Sequence, residues 1–257
     1  MVSGIRWAAP DHASLLSAAV DVTTADGLAY VGKLLSTPDA PGRPPLLRHL
    51  TQGVVDADYP ASSGYVLHLY HFHHPWTHRG YAGSCVSGAQ VTEDLFGDAL
   101  DLWRANRRAE AAYELGRACH PLADGFVPYH AAGVAGCGHA GYEDWLTRDH
   151  RWREWLPAAG GRYQWQAIYQ PGDGRSPHVL DWRSPSHWVD LATHESWPWF
   201  RDRLNGCAGG LWGFRPDIRA FFPAAASVLV PATIRYLAGF LHLFFTLAGA
   251  SPHSAAG

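Results

Sequence analysis

Residues 114–143 read ELGRACHPLADGFVPYHAAGVAGCGHAGYE and hold the densest set of ligand-type side chains in the chain. His120, Asp124, His130, His139 and Glu143 follow the spacing H-x3-D-x5-H-x8-H-x3-E. Residues four apart lie on one face of a helix. His120 and Asp124 can therefore grip one cation, and His139 and Glu143 can do the same from a second helix. Imidazole and carboxylate together suit zinc. A single H-x3-D/E pair says little, since 16 His and 23 acidic residues in 257 produce one or two by chance. His150 and Glu154 form such a pair inside the charged run RDHRWRE and read as a solvated helix face. The compound pattern, two pairs with a fifth ligand between them, carries the metal reading.

Elements must bring these residues together. A helix over 107–126 carries the first pair, and Pro128 ends it by excluding Val127 from helical backbone. His130 falls beyond that end, free to turn toward the second pair. A helix over 141–155 carries Glu143 of the second pair. Upstream, Pro10 and Asp11 open a helix with Asp11 as its N-cap, and Leu15, Leu16, Ala19, Val20 and Val22 line its apolar side. Residues 46–55 and 89–106 predict two more helices, and 36–45 and 64–83 read as loops. Ser184-Pro185 starts a helix near 187–193. Residues 157–185 have no clear period and read as an insertion or lid. Residues 228–247 are very apolar, but Arg235 and His242 interrupt them short of the roughly 20 apolar residues a membrane span needs. They read as a buried closing helix. No alternating strand pattern occurs, so the expected fold is all-α: one helical domain over residues 1–257, with a lid region around 157–185.

Composition narrows the function. The chain is 47% hydrophobic with a net charge of −3 and one lysine, Lys33. It has no basic stripe to hold a nucleic-acid backbone, so no nucleic-acid partner is expected. Cys85, Cys119, Cys137 and Cys207 make no C-x2-C pair, and Cys119 and Cys137 read as packing residues near the histidines. The first residues hold no apolar core of a secretory signal, so either the chain is cytoplasmic as given or a leader was removed before this numbering.

The ELG…PYHAA framing resembles the zinc-dependent phospholipase C family, which includes the clostridial alpha-toxins and is related to the P1-type nucleases. The resemblance runs from Trp7 to the last helix and implies an all-helical enzyme with up to three Zn2+. By that resemblance, GVVDADYP supplies Asp58 as a ligand and Tyr59 as a substrate contact, His71-Phe72 supplies a loop histidine, and Trp7 and His12 supply the amino-terminal ligands. One zinc would take Asp58, His71, His120 and Asp124. A second would take His130, His139 and Glu143, with positions left for water. A third would take His12, backbone atoms of Trp7 and a bridging oxygen of Asp124. Asp58 is implied either as the general base or as a pure ligand. The resemblance further implies a phosphoester or phospholipid substrate and phospholipase C-type hydrolysis, while transient contact with a membrane surface would fall to interfacial tryptophans such as Trp76, Trp165, Trp197 or Trp212, each of which taken singly reads as core. A phosphatase, a P1-type nuclease, a biosynthetic enzyme on the same metals and a zinc-stabilised binding domain are the alternatives. The family's choline contacts fall on Pro10 and His68 here, so no choline specificity is implied. In secreted relatives the mature chain begins at the tryptophan. With Met1–Arg6 in place, Trp7 offers only a carbonyl oxygen, so a weak third zinc is expected.

Overall fold

The computed structural model describes residues 9–59, 70–83, 86–135, 138–164, 181–206 and 217–250. Helices α1 (Ala9–Ala25), α2 (Ala29–Ser36) and α3 (Leu46–Asp56) come first. Then follow α4 (Gly88–Arg104), α5 (Arg108–Asp124), the single turn α6 (Pro128–Ala131) and α7 (His139–Arg148). The last two are α8 (Pro185–Trp199) and α9 (Phe222–Leu247). No strand occurs among the described residues, only an isolated bridge between Pro38 and Pro45. The all-α expectation holds.

Burial follows the apolar spacing. Leu15, Leu16, Ala19, Val20 and Val22 of α1 are buried, as are Val91 and Leu95 of α4. α9 closes the core, with Phe240 and Phe244 packed edge-on against Phe96. The stretch Ile218–Leu247 is long and apolar enough to cross a membrane, yet 72% of its most apolar window is buried inside the protein. Every described tryptophan is buried or half-buried.

Helices α3 and α5 cross at backbone contact. A Cβ on Gly53 would stand 2.0 Å from the Tyr113 carbonyl oxygen, and one on Gly116 would stand 2.0 Å from that of Leu50. No side chain fits there, so glycine at both positions is what lets the helices meet.

Four expectations need correction. α1 begins at Ala9, so Asp11 lies in its first turn and is not the N-cap. Pro10 fits because first-turn amides have no helical acceptor to lose. α7 starts at His139, two residues early, on Gly138 with φ 101°, a conformation glycine supplies without strain. It also ends at Arg148, and residues His150–Trp155 form a 3-10 turn that carries Trp152 into the core. The spacing of His150 and Glu154 is therefore not that of an α-helix, and Glu154 is exposed. α8 and α9 both outrun their expected lengths, running over Pro185–Trp199 and Phe222–Leu247 with Pro198 and Pro231 inside them.

Residues 157–164 run along the far end of α1. Gly160 and Gly161 donate backbone N–H groups to Asp26, and the Tyr163 hydroxyl donates to it too. The Arg162 N–H donates to the Arg235 carbonyl. At 1.5 Å per residue, roughly 20 Å of α1 separates Asp26 from His12. Residues 165–180 of the expected lid lie outside the described residues.

Candidate metal centre

α5 presents His120 and Asp124 one turn apart, with His120 Nε2 3.2 Å from Asp124 Oδ2. The close crossing with α3 sets the other side of the ring. His120 Nδ1 donates to the Val54 carbonyl at 2.7 Å, which aims Nε2 inward. A backbone acceptor on the outer nitrogen is the usual way a ligand histidine is oriented.

His71, which lies between α3 and α4 in the chain, places Nδ1 2.6 Å from Asp124 Oδ2 and 3.2 Å from His120 Nε2. Asp58, just past α3, brings Oδ1 to 3.6 Å from His120 Nε2. His12, in the first turn of α1, stacks on His120 at 4.2 Å and faces Asp124 Oδ1 at 3.5 Å.

The second pair forms as its spacing requires. His139 Nε2 lies 3.0 Å from Glu143 Oε1 along α7. Val127 is extended and Pro128 starts α6, so His130 turns back toward this pair. Its Nε2 is 2.6 Å from His139 Nε2 and 3.1 Å from Glu143 Oε1, while Nδ1 donates to the His71 carbonyl.

Eight of the ligand residues expected from the sequence thus meet in one buried, connected cluster. His120 also groups with His12, and His130 with His71 and Asp124, so the sets overlap more than the sequence implied. Tyr59, beside Asp58, is 49% exposed. Trp7 lies outside the described residues. Cys119 is buried in the core, and burial pushes its thiol up.

The electrostatics suit a cation. Burial pulls His12 down to about 3 and His71 to about 4, so both are neutral lone-pair donors at neutral pH. Burial would raise Asp124, but His120, His130 and His71 hold it well below the usual carboxylate range. Glu143 is likewise opposed by burial, yet hydrogen bonds with His130 and His139 bring it to about 2. Burial works against a charged His120, and Asp124 with Asp58 overcomes it, holding the ring up to about 9. His130 is also raised against burial, chiefly by Asp124 and Glu143. Buried carboxylates thus call for positive charge, which protons on His120 and His130 supply and which a dication would supply from the same atoms. Two backbone-anchored imidazoles, neutral His12 and His71, and ionised carboxylates form a donor set that fits zinc.

A further cluster went unread in the sequence. His73, His78 and Asp190 bring one donor atom each within 4.8 Å of one another. The crowded histidines of residues 68–78 were visible, but Asp190 is over a hundred residues away.

The described residues form an all-helical protein with a buried histidine–carboxylate cluster. Its fold is similar to that of solved clostridial alpha-toxins. The alpha-toxin from Clostridium absonum superposes with a TM-score of 0.66 at 18% identity, over 93% of this chain and 65% of that one. The Clostridium perfringens alpha-toxin from an avian strain gives 0.57 at 16% identity, over 94% and 64%. The chain therefore spans just under two thirds of each toxin's length. The sequence matches no protein-family model and no curated protein. At the level of fold, the resemblance to the zinc-dependent phospholipase C family holds.

Proposed function

We propose that the protein is a trizinc hydrolase of phosphate esters, acting as a phospholipase C-type phosphodiesterase. The observation that supports it most is the two-sided placement of Asp124. Its Oδ1 faces His12 while its Oδ2 faces His71, His120 and His130. A carboxylate reached from both oxygens suits adjacent cations. Asp58, His71, His120 and Asp124 would hold one zinc, and His130, His139 and Glu143 a second. His12 and Asp124 would hold a third, completed by Trp7. Bound dications in such a site neutralise phosphoryl oxygens and bring the pKa of attacking water toward 7.

The chain's own residues do the rest. Asp58 stands at the edge of the cluster and accepts the proton of the attacking water as general base. The Val54 and His71 carbonyls fix the rings of His120 and His130, so the donors are preorganised. Tyr59 offers an exposed aromatic face beside Asp58 to the substrate. With no basic stripe, a small or lipid phosphodiester fits better than a long nucleic acid.

The test is a panel of phospholipid, nucleotide and phosphomonoester substrates, with and without a zinc chelator. Chelator-sensitive release of a phosphorylated head group supports the proposal. Turnover of monoesters or nucleotides alone reassigns the site to a phosphatase or nuclease. No turnover by fully zinc-loaded protein leaves a zinc-stabilised binding domain.

A further inference from the structure

His73, His78 and Asp190 stand outside the cluster described above. Asp190 lies in the second turn of α8 and is 7% exposed. The two histidines come from one tight loop, closed by hydrogen bonds from His74 N–H to the Arg79 carbonyl and from His78 N–H to the His74 carbonyl, both 2.8 Å. His73 Nε2 and His78 Nδ1 both contact the same Asp190 oxygen, Oδ1, the latter at 2.8 Å. His73 is buried, whereas the His78 side chain is 34% exposed. His78 also holds φ at 55°, a left-handed conformation that costs an L residue energy and is kept only where the surroundings require it. That backbone belongs to the residue whose ring completes the cluster.

We infer that His73 Nε2, His78 Nδ1 and Asp190 Oδ1 form an additional site for a zinc-class dication, separate from the Asp124-centred cluster. Two imidazoles and a carboxylate are an accepted three-ligand set for such ions, with water in the fourth position. Tetrahedral ligand bonds of about 2.0–2.2 Å set donors roughly 3.4 Å apart, so these three atoms, all within 4.8 Å of one another, take an ion once the two imidazoles draw back slightly from Asp190. Asp190 supplies the carboxylate of the set, buried and facing both imidazoles. The exposed edge of His78 leaves the ion a route to solvent.

The position gives the ion a task. His73 is two residues from His71 and donates its backbone N–H to the carbonyl of His130 at 3.2 Å. A cation held by His73, His78 and Asp190 clasps the loop bearing His71 onto α8. It acts as a structural clasp beside the main centre.

The test is zinc content per chain after loading and exhaustive dialysis, in the wild type, His78→Ala and Glu143→Gln. His78→Ala removes a partly exposed side chain and leaves the main centre's ligands in place. It is expected to lose one equivalent of zinc, and Asp190→Asn is expected to lose the same one. An anomalous-scattering map at the zinc edge should place a peak among the three donor atoms of the wild type. Equal zinc in the wild type and His78→Ala, or no such peak in zinc-loaded crystals, would mean a hydrogen-bonded His–Asp–His network and overturn the inference. The two sites fail separately. If Glu143→Gln keeps its full zinc while His78→Ala loses one, the clasp stands and the main-centre reading falls.

Discussion

Asp124 is reached by four imidazoles, whereas Asp58 groups with two of those same rings, His71 and His120. That difference separates their chemistry. A carboxylate surrounded by imidazoles is committed to holding charge in place, whereas one at the edge of the set is better placed to take a reacting proton. Asp58→Asn keeps the size of the side chain and removes its basicity. Turnover is expected to fall by about 10²–10⁴-fold, the usual worth of a general base, with the helical circular dichroism unchanged and zinc largely retained. Near-normal turnover at full zinc content would strip Asp58 of the base role.

At the scale of elements, the crossing of α3 and α5 governs the centre. It brings the Val54 carbonyl to His120 and leads the chain from α3 into Asp58. Gly116→Ala forces a methyl group against the Leu50 carbonyl, backbone that cannot swing aside. A loss of roughly 1–3 kcal/mol in urea denaturation is expected, as for other overpacked sites. Zinc affinity should fall with it, because the ring of His120 is oriented across the same interface. The control is Gly97→Ala on α4, where a Cβ meets nothing within 4 Å. There alanine should be neutral or stabilise by about 0.5–1 kcal/mol. Equal effects from the two substitutions would refute the close-contact argument.

Across the whole molecule, Asp26 ties residues 160–163 to the end of α1 remote from His12. Backbone hydrogen bonds from Gly160 and Gly161, then that of Tyr163, hold its carboxyl below the ordinary value. A group depressed in the folded state contributes stability above its unfolded pKa and loses it as pH falls through the folded one. The thermal midpoint of Asp26→Asn should therefore lie below that of the wild type at neutral pH. The gap should hold down to the ordinary aspartate range, near ~3.9, and close below it. A gap unchanged through acid pH would show that the charge on Asp26 contributes nothing.

The sequence by itself determined what local spacing can determine. Four-residue steps in helices put His120 beside Asp124 and His139 beside Glu143 whatever the rest of the chain does, and Pro128 forced the break that turns His130 back. Apolar periodicity marked the buried faces of α1 and α4 in the same way, because helical geometry is fixed within a few turns. Asp58, His71 and His12 entered only through resemblance, since nothing in their own spacing joins them to α5. Tertiary structure decided that they reach it, through a helix crossing that depends on two glycines 63 positions apart, Gly53 and Gly116. It also decided that Pro198 and Pro231 stay within helices, and that His73 and His78 meet Asp190. Contacts between distant segments arise from packing in three dimensions, and no period in a linear sequence records them.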